Sequence, residues 1–169
     1  MAGNFINRTT RTVIKIFLIA AATVVCMAAA YYIGSNATGH ALATASDNMN
    51  YSRWLEKYFA LTRATGLLNG ICALTWFLAA RFFLTVDEAA GAGKRIFWAA
   101  LLMASLAISL GVPHFYAPIL GIKLNGIIFA LFAAIFTGAG YWLLTIFTTP
   151  LAFKYTPLGA QSIKLTRGD

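Results

Sequence analysis

The sequence predicts an all-α integral membrane protein, a four-transmembrane-helix up-down bundle with an interfacial amphipathic helix before the second span. Three observations lead there. Hydrophobic residues make up 60% of the 169 residues and charged residues only 11%, too apolar a mixture for the surface of one soluble domain. The apolar residues fall into long runs separated by short polar, Gly- or Pro-containing stretches. The net charge of +8 comes from Lys and Arg placed at the ends of those runs, which suits anionic lipid headgroups. No basic stripe with interleaved aromatics is present, so nucleic acid is not an expected partner.

Residues 13–34 form the first predicted span, long enough to cross a bilayer core. Ala28-Ala29-Ala30 after a basic start also resembles a leader cleavage site, but the apolar run continues through Tyr31, Tyr32 and Ile33, so a retained helix is expected. Ala22, Cys26, Ala30 and Gly34 recur every fourth residue and give this helix one face of small residues. Residues 35–46 are small and polar and are expected to form a flexible loop.

Asp47 is an expected helix cap. Beyond it Met49, Tyr51, Trp54, Leu55, Tyr58 and Phe59 share a face opposite Arg53, Glu56 and Lys57. That pattern fits either an interfacial helix or the upper end of a long second span. The second span is expected over 61–84, with Arg63 and Arg81 snorkelling at its ends and Gly66 and Gly70 forming a GxxxG pair. Thr85 and Glu88 match a capping box for the third helix. Gly91-Ala92-Gly93-Lys94 lacks the phosphate-loop pattern and is expected to be a connector.

The third span is expected over 96–112, ended by Pro113, with a compact turn through His114 and Pro118. The fourth, over 119–147, carries the seam Gly126, Ala130, Ala134 and Gly138. Residues 148–169 form a predicted polar tail. With the amino terminus inside, nine Lys and Arg fall on the inner side and four on the outer, which predicts both termini in the cytoplasm; a bacterial inner membrane is the expected location. Tyr31, Tyr32, Trp54, Tyr58 and Tyr116 are expected in an outer aromatic belt, and Phe82, Phe83, Phe97, Trp98, Tyr141 and Trp142 in an inner one.

Chemistry-bearing residues are few. Thr65, Asn69, Ser105, Ser109, Lys123 and Asn125 are expected in the outer half, either as interhelical hydrogen bonds or as the lining of a small polar cavity. No cofactor is expected. Were copper or zinc bound, His40, Asp47 and His114 are the candidate ligands, although no strong ligand spacing is present. Cys26 and Cys72 lie in apolar runs at similar depth and read as packing residues. No nucleophile stands in a recognisable catalytic motif.

These features predict a structural or accessory subunit of a larger membrane complex of secretion, conjugation or respiratory type. Its expected partners are the bilayer and other membrane subunits or further copies of itself. A small-solute transporter or channel is the first alternative. A subunit of a metal-dependent membrane oxidoreductase, with an outward-facing His site, is the second.

Overall fold

A computed structural model describes residues 2–46, 49–83, 91–125 and 133–149. Those residues are helical apart from short connections, and no strand occurs among them. Helix α1 is Ala2–Ala45. Helix α2 is Tyr51–Leu78 and continues into a π-helical stretch, Ala79–Phe83. Helix α3 is Gly91–Leu120. A second π-helical stretch, Ala133–Ala139, leads into α4, Gly140–Thr148. Thr10–Ala37, Tyr51–Phe83 and Gly93–Leu120 are each long and apolar enough to cross a membrane. Many of their large apolar side chains, including Val13, Phe17, Leu67, Ile71 and Met103, are exposed. A water-facing surface would not carry them; these are features of an integral membrane protein.

The helices are longer than the sequence suggested. Residues 35–46, expected as a loop, are helical through Ala45. Their small polar side chains bond back to carbonyls of the preceding turn and so find their partners within the helix. Asn36 Nδ2 donates to the Tyr32 carbonyl at 2.8 Å, Thr44 Oγ1 to that of His40 at 3.1 Å, and Ser46 Oγ to that of Leu42 at 2.6 Å. The amphipathic segment and the second span are one uninterrupted helix. Its cap is Asn50, whose Oδ1 accepts from the Ser52 amide at 3.1 Å. Asp47 and the Thr85/Glu88 pair lie outside the described residues.

Helix α3 passes through both Pro113 and Pro118, where an end was expected at the first. A missing N–H is tolerated where neighbouring groups pack around the freed carbonyl, and Pro113 is fully buried. The helix ends at Gly121, whose φ of 67° is the left-handed conformation that glycine adopts without a Cβ clash. The Gly121 amide donates to the Pro118 carbonyl and that of Ile122 to the Ala117 carbonyl, both at 3.0 Å. This is the Schellman arrangement. The predicted fourth span, 119–147, is therefore not one helix: its first two residues close α3 and 122–125 are non-helical, while Ala133–Ala139 is π-helical and 126–132 lie outside the described residues. At the other end, Thr148 and Thr149 are buried, and the rest of the predicted polar tail, 150–169, lies outside the described residues.

Contacts show how the helices run. Arg81 Nε meets Thr12 Oγ1, Gly70 lies against Thr23, Gly66 against Met27 and Gly34 against Tyr58, so α1 and α2 are antiparallel. Trp76 against Phe97 and Lys57 against Leu120 make α2 and α3 antiparallel. Trp98 on Thr145 and Ser109 on Thr137 do the same for α3 and the α4 segment. Lys15 Nζ closes the circuit by donating to the Thr148 carbonyl at 2.9 Å.

Two apolar cores lie at opposite ends of this arrangement. One gathers Ile19, Cys72, Trp76, Phe77, Trp98 and Tyr141. The other gathers Ala43, Trp54, Tyr58, Leu61, Ala117 and Ile122. Trp54, Tyr58, Trp98 and Tyr141, expected in surface belts, are thus core residues. Tyr32, Phe82, Phe83 and Tyr116 are exposed. Such rings bury a large apolar area, and in these two cores they do so against neighbouring helices.

Candidate functional site

Between the two cores the interior turns polar. Ser105 and Ser109 are one helical repeat apart and project from the same face of α3. Asn69 of α2 bridges them. Its Oδ1 accepts from Ser105 Oγ at 2.7 Å, and its Nδ2 donates to Ser109 Oγ at 2.7 Å. Ser109 shares a further hydrogen bond of 2.6 Å with Thr137 Oγ1, in the π-helical stretch before α4. The amide ties α2 to α3, and Ser109 carries the network on to the π-helical stretch before α4. Such interhelical bonds contribute about 0.6–2 kcal/mol each in a membrane protein.

Ala22, Cys26 and Ala30 of the α1 seam, with Gly66 and Gly70, lie on the wall of a cavity of about 120 Å³ next to this network. Asn69, Ser105, Ser109 and Thr137 supply its polar end. Thr65 also lines it, but its hydroxyl donates to the Leu61 carbonyl of its own helix at 2.9 Å. Asn69 and Ser105 lie near the midpoints of α2 and α3, with Ser109 one turn further along.

Other predicted members lie elsewhere. Lys123 and Asn125 are exposed in the non-helical stretch after α3, where the Lys123 backbone amide donates to Ser46 Oγ at 2.8 Å. Arg63, expected at a span end, is exposed well inside α2. Thr137 was missed by sequence reasoning. Its one sequence signal is a hydroxyl inside an apolar run beside Gly138 of the predicted seam.

The described seam residues turn inward. A Cβ at Gly34 would stand 1.9 Å from Tyr58 Oη, one at Gly66 would stand 2.0 Å from Met27 Cγ, and one at Gly70 would stand 2.9 Å from the Thr23 side chain. Gly138 lies more loosely against Leu106, at 3.6 Å. Gly126 and Ala130 lie outside the described residues, as does the side chain of Ala134.

The histidines occupy exposed positions. His40 stacks on the ring of Tyr51, centroids 3.8 Å apart, and His114 stands edge-on to Phe115 at 5.3 Å. Among the described residues no three His, Cys, Asp or Glu side chains come together as metal ligands, and Asp47 is outside them. Cys26 and Cys72 are free thiols. Cys26 lines the cavity facing Gly140, and Cys72 belongs to the apolar core beside Trp76.

Two Trp–Thr hydrogen bonds lock the end of α4. Trp76 Nε1 donates to Thr149 Oγ1 at 2.9 Å and Trp98 Nε1 to Thr145 Oγ1 at 3.0 Å. Every partner in these pairs is buried, so each indole N–H that would otherwise be orphaned is satisfied.

No family model, curated protein or solved structure matches the chain. Fold and site together define the class, an integral membrane protein whose helices enclose a polar cluster and a small cavity.

Proposed function

We propose that this protein is a structural or accessory subunit of a larger membrane assembly of secretion, conjugation or respiratory type. In this reading it sits in a bacterial inner membrane as a four-helix up-down bundle with both termini cytoplasmic. The observation that carries it is the lateral surface of α1. Only 6% of the apolar window of Thr10–Ala37 is buried within the fold. Phe17, Val24, Val25 and Tyr32 are exposed along that helix.

At 44 residues, α1 extends roughly 66 Å, about twice the hydrocarbon thickness of roughly 30 Å. It is fastened along one side, to α2 and to the end of α4, and leaves the rest of its circumference for lipid or neighbouring helices. The small-residue faces of α1 and α2 cannot be that lateral contact, because Gly34, Gly66 and Gly70 are spent on each other's helices. The larger side chains on the other side of α1 take that role. The excess of Lys and Arg near the start of α1, the end of α2 and the start of α3 supports the orientation.

The test is the mass of the intact complex released from native membranes in mild detergent. A species far heavier than the 18.2 kDa chain is expected, lost on replacing Val24 and Val25 by Ser while the isolated chain keeps its helicity. Recovery only as a monomer, or as a homo-oligomer that moves solute in liposomes, would overturn the subunit reading. The second of those outcomes would favour the transporter alternative, for which the cavity is the supporting observation. Metal in the purified protein, lost with His40→Ala, would favour the oxidoreductase alternative.

A further inference from the structure

We infer that the cavity between the two cores is a binding site for the uncharged, hydroxyl-bearing end of a single-chain lipid. Its lining is chemically divided. Ala22, Cys26, Met27, Ala30 and Leu144 give an apolar wall, and Asn69 with its hydroxyl partners gives a polar end. None of the described residues lining it is charged.

The hydrogen-bond inventory sets the ligand class. The Asn69 amide carries two N–H donors and two acceptor sites. One donor is used on Ser109 and one acceptor site on Ser105, which leaves one of each. The hydroxyls of Thr62 and Thr65 donate to carbonyls of their own helix, at 3.1 and 2.9 Å, and present only oxygen lone pairs. A site offering one N–H and several acceptors suits a group that both gives and takes a hydrogen bond. A hydroxyl does so. A carboxylate or ammonium would bring an uncompensated charge to the middle of the helices.

Depth explains why such a molecule would stay. Lipid tails are as apolar as the cavity wall, so an alkyl chain is nearly indifferent to moving between them. The hydroxyl is not, because in the hydrocarbon core it has no partner and beside Asn69 it has several. At about 120 Å³ the space is a little smaller than the roughly 150 Å³ cavity that admits benzene in a soluble protein. It accepts the head and first carbons of a chain, with the remainder leaving through the open side. Water alone would satisfy the polar end but leave the apolar wall unmatched.

The experiment uses the full chain in lipid nanodiscs with a diazirine-bearing octanol, and adducts are located by peptide mass spectrometry. Adducts are expected on Cys26, Met27 or Thr65, suppressed by excess octanol but not by octane or octanoate. Asn69→Leu should lower their yield roughly tenfold, the change expected for about 1.4 kcal/mol of lost hydrogen bonding. Ala30→Leu, which fills the cavity without touching the amide network, should do the same and keeps the test decisive if Asn69→Leu fails to fold. Adducts confined to the exposed residues Val24, Val25, Leu67, Leu68 and Ile71, equal competition by octane, or unchanged yield in Ala30→Leu would each overturn the inference. None of these readouts depends on whether the chain belongs to a larger assembly.

Discussion

Gly34 and Tyr58 show how one missing side chain sets a helix–helix distance. The tyrosine hydroxyl occupies the space a Cβ would need and donates to the Ala30 carbonyl at 3.3 Å. Gly34→Ala should push the ring aside, break that hydrogen bond and destabilise the protein by about 1–3 kcal/mol. Gly111 is the control, because a Cβ there meets nothing within 4 Å among the described residues. Gly111→Ala should be neutral or stabilising by up to about 1 kcal/mol, since alanine is the better helix former. Reversible unfolding in mixed micelles measures both, and equal effects would contradict the packing described. The four-residue spacing of these small residues was legible in the sequence. What each would touch was not, because spacing defines a face and leaves its neighbour unspecified. For the same reason Asn69, Ser105 and Ser109 were recognisable as polar residues in apolar runs, but Thr137 joined them only once the π-helical stretch stood beside α3.

Helix ends were the least legible elements, and α3 shows why. Pro113 is a strong stop signal in water, yet the helix runs seven residues further, to Leu120. There Lys57 of α2 places its ammonium on the Leu120 carbonyl, where the partial negative charge of the helix terminus is concentrated. Lys15 holds the end of α4 in the same way. A lysine from another helix supplies a cap that no local pattern announces. Lys57→Met should therefore speed hydrogen exchange in the last turn of α3 and cost about 0.3–2 kcal/mol. Gly121→Val, at φ 67°, should cost about 1–2 kcal/mol through backbone strain. Unchanged exchange in Lys57→Met would mean that the Schellman turn is sufficient by itself. The helical course of residues 35–45 has a similar origin. Gly39 admits Tyr51 and Trp54 at 2.8 and 3.1 Å from where its Cβ would be, so the aromatic face of α2 supports a segment whose own composition reads as loop.

Across the molecule, the antiparallel contacts place the start of α1, the end of α2, the start of α3 and the end of α4 together at one end. Cysteines introduced at Thr10 and Arg95 should accordingly react with an impermeant maleimide from one face of sealed vesicles, and one at Lys123 from the other, in a background lacking Cys26 and Cys72. Labelling of all three from the same face would refute the arrangement. The membrane environment itself was determined by the sequence alone. Transfer of long apolar runs out of water is a sum over residues, and sums survive without knowledge of contacts. The lengths of the helices, the use of the glycine faces within the fold and the gathering of Asn69, Ser105, Ser109 and Thr137 beside a cavity were decided by the tertiary structure. Each depends on pairings between distant residues, and the free energy of a pair has no value until both members are in place.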